Sequence, residues 1–326
     1  MEAAITLAAL PVGTATSLPP SDGERSKVQS TTEATGSAAS VMAASTGDHC
    51  RPRLRPTIAR VSVYADVLRY RELFSSLVRR DLRAKYKGSV LGLAWTLALP
   101  VALMLVYLVV FSVLWKAQAT DLDDYWLFLL CGLPPWAFFA ASLQTGSRSL
   151  VENAPLIRKV RFPRQLVPLS VVATQLVAFA VMTAIVLGLS LWFRADSRDT
   201  AWLALPAAVA IVVFVAGFSL AVAALNAVFR DVEFLVAAAL LPWFFLTPVL
   251  YQLDDLPGAE SRPWLVDLIH WGNPLTPAIE SYRTPLYAGE APPAADAIYL
   301  CVAAVIALVV GALVFSAVDD RIASEA

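Results

Sequence analysis

The chain has 326 residues, of which 58% are hydrophobic and only 16% are charged, and its formal net charge is −1. Soluble domains carry about 25% charged residues. This composition therefore excludes a disordered chain, a nucleic-acid binder that acts through net charge, and almost any single soluble domain. It favours an integral membrane protein.

The first 60 residues differ from the rest of the chain. They are rich in Ala, Ser, Thr, Gly and Pro, so they bury too little apolar surface to offset their ordering entropy. We expect a disordered tail over residues 1–60. Glu2 stands where a secretory signal would carry Lys or Arg, so a cleaved signal peptide is not expected.

Residues 61–89 are predicted to hold a cytoplasmic amphipathic interface helix. Within 66–87, apolar residues recur at helical spacing, and seven basic residues against three acidic ones fill other positions. Such a helix lies at a membrane surface with its arginines at anionic headgroups, or packs on a partner, and the two are compatible. The candidate interface residues are Arg71, Phe74, Arg79, Arg80, Arg83 and Lys85.

Six runs without Asp, Glu, Lys or Arg follow, at 90–115, 126–147, 166–193, 201–223, 234–251 and 298–318. Because a helix needs about 20 apolar residues to cross the hydrocarbon core, the sequence predicts an all-α membrane fold with six transmembrane helices over 90–318. A cytoplasmic tail over 319–326 completes the chain. A β-barrel is excluded, since its strands alternate polar and apolar residues. Pro134-Pro135 allows a kink or a re-entrant break in the second run.

The segments between these runs differ in charge. Segments 66–87 and 148–165 each carry an excess of four basic residues, whereas 116–125 and 252–297 carry an excess of two and five acidic residues. By the positive-inside rule, the two basic segments and both termini lie in the cytoplasm.

The sequence contains no catalytic or metal-binding motif. The three cysteines lack CxxC spacing, and His49 and His270 stand apart from each other. None of the five lysines follows a glycine, so the chain cannot carry a Walker A loop. If the protein uses ATP, a partner subunit would bind the ATP and its Mg and hydrolyse it. The six runs also lack His, which argues against an ion-driven transporter. We expect a transport subunit that is not itself an enzyme and has no cofactor.

A basic segment after the second run has the composition of a docking element. Apolar residues stand among its basic ones, a pattern that suits insertion into a partner's cleft. An ordinary positive-inside loop is the alternative. The candidate residues are Glu152, Asn153, Pro155, Leu156, Ile157, Arg158, Lys159 and Phe162, with Val160 as a further apolar anchor.

The long segment 252–297 is predicted to form one or two helices at the outer mouth. Asn273 or Thr276 can cap a short helix with proline in its first turn. The residues assigned to one apolar face of that helix are Leu275, Ile279, Tyr282 and Leu286. A packed loop without a gating role is the alternative. The candidate outer-gate residues are Asn273, Pro274, Thr276 and Tyr282.

Aromatic residues are frequent in the first and fifth runs. Sugar rings stack on aromatic rings, although aromatics in membrane helices more often face lipid or other helices. The candidates for a sugar path are Trp95, Tyr107, Phe111, Phe244, Phe245 and Tyr251.

Several motifs together resemble a known family. They are Arg79-Arg80-Asp81-Leu82-Arg83-Ala84-Lys85-Tyr86, Leu130-Cys131-Gly132-Leu133-Pro134-Pro135-Trp136, Glu152-Asn153-Ala154-Pro155-Leu156-Ile157-Arg158-Lys159, Asn226-Ala227-Val228-Phe229-Arg230-Asp231-Val232 and Asn273-Pro274-Leu275-Thr276. Over roughly residues 66–320 the chain resembles the permease subunit of type-2 ABC exporters of polysaccharides, which move O-antigen, teichoic acid or mycobacterial galactan.

The resemblance implies a homodimer of six-span permeases in the bacterial cytoplasmic membrane, with two nucleotide-binding ATPase subunits below it. It further implies that residues 152–162 form the coupling helix, that 66–87 act as an interface or gate helix, and that gate helices lie within 252–297. The channel would run along the dimer interface, lined by spans one and five, and carry a lipid-linked glycan. The tail of about 60 residues departs from the family pattern.

Two other functions remain open at this point. One is a type-2 ABC exporter of small lipids or drugs, which would need a lateral cleft facing lipid. The other is a membrane-embedded glycosyl or acyl transferase, which would need an intramembrane His or an acidic pair.

Overall fold

The computed structural model describes residues 69–86, six isolated positions between 98 and 109, and residues 124–160, 162–253 and 262–325. The predicted tail over 1–60 lies outside the described residues, as do most residues of the first predicted span, 90–115. The chain divides into two units, 1–57 and 58–326, and the description below concerns the second.

Within the described ranges, all regular secondary structure is helical. The helices are α1 (Arg71–Tyr86), α2 (Tyr125–Glu152), α3 (Ala154–Lys159), α4 (Leu166–Phe193), α5 (Ala204–Val228), α6 (Val232–Leu246), α7 (Pro263–Gly272), α8 (Leu275–Tyr287) and α9 (Ala294–Glu325). Two short 3-10 helices, Asp196–Arg198 and Ala201–Leu203, join α4 to α5.

Four of these helices are long and apolar enough to cross a membrane. They are Tyr125–Glu152, Leu166–Phe193, Ala201–Val228 and Ala294–Asp319, and they correspond to the predicted runs 126–147, 166–193, 201–223 and 298–318. α2 continues as one helix through Pro134 and Pro135, so the prediction of a re-entrant break at these prolines is wrong. α9 continues to Glu325, through the segment predicted as the C-terminal tail.

The predicted fifth span, 234–251, is the exception. α6 has 15 residues, which at 1.5 Å per residue is about 22 Å, short of the roughly 30 Å hydrocarbon core. The helix ends at Leu246 because Thr247 precedes Pro248, and a residue before proline is pushed out of the helical region. Thr247 accordingly has an extended backbone, with φ −94° and ψ 131°.

Contacts between distant residues show that the helices alternate in direction. At one end of the bundle, Arg164 near the start of α4 binds Asp319 of α9 at 3.0 Å. At the other end, the Ser190 hydroxyl donates to the Leu286 carbonyl at 2.5 Å. We call these the α3 end and the α8 end. Among the described residues, the α3 end holds 153–160, 162–165 and 229–231, and the α8 end holds 194–203, 247–253 and 262–293, which is the grouping of segments that the sequence predicts.

α5 and α9 pack with their backbones close together. A Cβ atom added to Gly311 would lie 2.1 Å from the carbonyl oxygen of Gly217, and one added to Gly217 would lie 2.4 Å from the backbone of Ala307. Glycine at both positions is therefore what allows this approach, as small residues do between membrane helices.

Candidate functional site

The docking segment forms α3, a short helix at the α3 end of the bundle. Proline in its first turn suits a helix start, and Val160 ends it in an extended conformation. Ile157 is buried in a small apolar cluster with Leu150 and Phe315. Its side chain therefore anchors α3 to this chain's own helices and is not available as a docking knob.

The exposed surface of this segment is more polar than the sequence suggests. Its exposed residues are Glu152, Pro155, Arg158, Lys159 and Val160, whereas Asn153, Leu156 and Phe162 are half-buried. Val160 has 45% of its surface exposed. An apolar contact with a partner would fall on Pro155 and Val160, flanked by two cations.

α1 lies against α4, with apolar residues on its packed side and arginines on its exposed side, as predicted. Leu77 is buried and Phe74 is half-buried, on the side that packs against the bundle. The exposed arginines, Arg71, Arg79, Arg80 and Arg83, line one open groove along the helix. Lys85 belongs to α1, and its side chain lies outside the description.

Polar contacts join α1 to the docking segment. The Arg80 guanidinium donates to the Asn153 amide oxygen at 2.6 Å and pairs with Asp81 at 2.8 Å. Asp81 in turn accepts a hydrogen bond from Ser170 of α4 at 3.3 Å. Two regions that the sequence treats separately thus form one polar surface.

Asn226 has a structural role at the same end. Its amide donates to the Ser147 carbonyl of α2 at 2.9 Å, and its oxygen accepts the backbone amide of Glu233 at 2.9 Å. Because the side chain is buried, these two bonds fix the turn from α5 into α6 against α2.

At the α8 end, Asn273 connects three segments. Its oxygen accepts from the Trp243 indole at 2.9 Å and from the Leu275 backbone amide at 3.2 Å, and its amide donates to the Thr247 hydroxyl at 2.8 Å. The predicted capping role of Asn273 is therefore only part of its function, which also joins the end of α6 to the start of α8.

α8 lies inside the end of the bundle. All four predicted face residues, Leu275, Ile279, Tyr282 and Leu286, are fully buried, and so is Thr276. The Tyr282 hydroxyl donates to Thr183 at 3.1 Å. Thr183 lies ten residues before the end of α4, or about 15 Å along it. Burial raises the pKa of the Tyr282 phenol, so the phenol stays protonated.

A buried arginine on α8 is a feature that the sequence prediction missed. Arg283 has 2% of its surface exposed, donates to the Pro248 carbonyl at 2.9 Å and forms an ion pair with Glu280. Its guanidinium also lies 3.8 Å from the centroid of the Phe128 ring. The sequence held one signal of this burial: Arg283 follows Ile279 by four residues, which places it next to the apolar face of the helix.

A second buried charged residue, this one acidic, lies just before the charge-free run 298–318. Asp296 is the third residue of α9 and lies in its first turn, outside the apolar run 298–318. Asp296 is buried and lies 2.8 Å from Nε2 of His270 in α7. The charge is tolerated because this partner satisfies it.

The aromatic candidates on α6 separate into buried and exposed rings. Phe244 is buried, with its ring centroid 5.3 Å from that of Trp136. Phe245 is 61% exposed, and the half-buried Tyr251 donates to its carbonyl at 3.0 Å. Trp95, Tyr107 and Phe111 lie outside the described residues.

Comparison with known proteins decides the family. A sequence profile described as ABC-2 type transporter matches residues 72–287, well over half of the chain. The chain belongs to the ABC-2 type transporter family. In this ABC-2 transporter chain the matched region begins in α1 and ends with α8, so it includes both the docking segment and the buried α8.

Two groups of relatives are similar over most of their length. The chain is 32% identical over 266 residues to the O-antigen export system permease protein RfbA of Myxococcus xanthus. The aligned region covers 81% of this chain and 98% of the relative. It is also 32% identical over 213 residues to an O-antigen export system permease protein RfbA of Klebsiella pneumoniae, covering 65% of this chain and 79% of the relative.

Proposed function

We propose that this chain is the permease subunit of an ATP-driven exporter that moves a lipid-linked polysaccharide across the bacterial cytoplasmic membrane. The observation that carries the proposal is the similarity to O-antigen export permeases over 98% of one relative's length. The four candidate spans and the family match agree with a membrane transport role.

The ATPase is a separate partner in this proposal. The five lysines do not follow glycine, so the chain has no phosphate loop of its own. The positive-inside rule assigns the α3 end to the cytoplasm, where the partner would dock. ATP-driven movement of the partner would then reach the spans through α3, because Ile157 fixes that helix to the bundle.

A second copy of the chain completes the transporter. α6 shows a large exposed apolar surface, formed by Phe234, Leu235, Leu241, Phe245 and Leu246. A homodimer would bring two such surfaces together with the predicted first span, 90–115. Of the α6 rings, Phe245 is the candidate for lining the path, and Phe244 supports it from behind.

The gate role of α7 and α8 is also part of the proposal. Asn273 and Arg283 connect α8 to the segment after α6, so a displacement of α6 would move α8 as well. A small-lipid exporter would use the same coupling. The similarity to O-antigen permeases favours the polysaccharide.

Deletion of the coding sequence tests the function. We expect surface polysaccharide to disappear while lipid-linked polymer accumulates inside the cell, and expression of the wild-type chain should restore export. Normal surface polysaccharide in the deletion strain would contradict the proposal. Loss of all polymer, inside and outside, would indicate a role in synthesis instead.

A further inference from the structure

A cavity of about 460 Å³ opens at the α8 end, apart from the docking segment and from the exposed face of α6. α7, α8, the start of α9 and the segment after α6 contribute to its wall. The residues used below are Gln252, Asp267, His270, Trp271, Glu280 and Asp296, all of which line it.

The polar groups in this wall are mainly hydrogen-bond acceptors, and two of its three carboxylates are held by partners. His270 binds Asp296 at 2.8 Å, and Arg283 forms an ion pair with Glu280. Carboxylates accept hydrogen bonds at up to four lone-pair positions, so each keeps capacity for further donors. Together with the Gln252 amide they suit a ligand that presents several hydroxyl groups.

An indole ring stands beside these acceptors. Trp271 lies with its ring centroid 5.5 Å from Tyr299 and 4.5 Å from His270. Its backbone carbonyl accepts the Tyr299 hydroxyl at 2.7 Å. The ring is therefore held from two sides, yet 41% of the residue is exposed. The negative face of an indole attracts polarised C–H groups, such as those on one face of a sugar ring.

The charges determine which sugars fit. Three carboxylates and His270 are the ionisable groups in the described wall of the cavity, and the Arg283 cation behind it pairs with Glu280, so the carboxylates still outnumber the cationic groups. An anionic sugar, such as a uronate or a phosphorylated unit, would meet like charge at short range. A neutral sugar would meet hydroxyl acceptors and an aromatic face.

We propose that this cavity binds neutral sugar units of the exported glycan at the α8 end, with hydroxyls on Asp267 and Glu280 and a ring face on Trp271. This inference rests on the proposed function, and it adds a substrate class, since it favours a neutral polymer over a polyanionic one.

The test uses the full chain with its ATPase partner in lipid nanodiscs. The neutral probe is the water-soluble glycan released by mild acid from the cell's own lipid-linked polymer, and the anionic probe is oligogalacturonate of matched length. Calorimetric titration should show binding of the first and at least tenfold weaker binding of the second. A cell polymer that proves polyanionic overturns the inference.

Matched variants on α7 separate the cavity from the rest of the surface. Trp271→Ala should weaken binding of the neutral probe about threefold to tenfold, and Trp271→Phe should keep most of it. Trp264→Ala is the control, because Trp264 lies on the same helix, is 63% exposed and does not line the cavity. Asp267→Asn should improve binding of oligogalacturonate.

The outcomes separate this inference from the proposed function. If the wild-type complex exports polymer but Trp271→Ala and Trp264→Ala bind the neutral probe equally, the cavity is not a glycan site and the transport proposal stands. If the complex exports no polysaccharide, the proposed function fails. Unchanged ATPase activity in the Trp271→Phe complex shows that the altered chain still folds and assembles.

Discussion

The close contact between α5 and α9 gives a prediction whose sign depends on position. Gly311→Ala would place a Cβ atom 2.1 Å from the Gly217 carbonyl oxygen, which is helix backbone and cannot rotate away. An ordinary Cβ contact lies at 3.4 Å or more, so the two helices would have to separate by about 1 Å or more. A gap of that size forfeits a quarter to a half of the dispersion energy of the atoms involved.

We expect Gly311→Ala to destabilise the protein by about 2–3 kcal/mol, the upper part of the range of about 1–3 kcal/mol for overpacked cores, because the clash is with backbone. Gly188→Ala in α4 is the matched control, because nothing lies within 4 Å of its added Cβ. In the control, alanine removes the flexibility of glycine in a helix and stabilises by up to about 1 kcal/mol.

The assay is thermal unfolding of the purified protein in one detergent, followed by loss of the monodisperse peak on size exclusion. At about 2–4 °C per kcal/mol for chains of this size, Gly311→Ala should lower the midpoint by roughly 4–12 °C, and Gly188→Ala should leave it unchanged or raise it slightly. Equal midpoints for the two variants would refute the packing argument.

Three further predictions concern the polar and docking residues. Glu280→Ala should lower the unfolding midpoint more than Arg283→Met, because it leaves a 2% exposed cation unpaired, whereas Arg283→Met leaves a carboxylate with 23% of its side chain exposed; the reverse order would contradict this. Asn273→Ala leaves the half-buried Trp243 indole and the Leu275 backbone amide without their acceptor and should cost about 2–4 kcal/mol in the same assay; an unchanged midpoint would contradict a joint between α6 and α8 at this residue. Val160→Asp and Arg158→Glu should reduce co-purification of the ATPase partner about tenfold at unchanged thermal stability, since both residues are exposed; normal co-purification would place docking elsewhere.

The helices themselves could be predicted with good accuracy from the sequence. The charge-free run 166–193 has the same bounds as α4, Leu166–Phe193, and the apolar face of α8 was named residue by residue. Both predictions succeed because they depend on local rules, the length of an apolar segment and the 3.6-residue period of a helix.

The sequence predicted the role of Ile157 and the length of the helix in the run 234–251 less well. Ile157 has the pattern of an exposed docking residue, yet it is buried in the chain's own core. The 18-residue run 234–251 reads as a span, yet its helix stops at Leu246 before Pro248. Whether Ile157 is exposed depends on which other helices lie nearby, and a local pattern holds no information on that. The end of α6 follows instead from Pro248, a local signal that a search for charge-free runs does not include.

By itself, the sequence determined an all-helical membrane chain, the positions of its long apolar helices and the grouping of its connecting segments at two ends. Only the tertiary structure decided that α8 lies within the bundle and that Arg283 and Asp296 are buried. Those two charges are stabilised by partners that include Pro248, 35 residues away, and His270, 26 residues away. A buried charge depends on what surrounds it in space, and the spacing of residues along the chain cannot supply that environment.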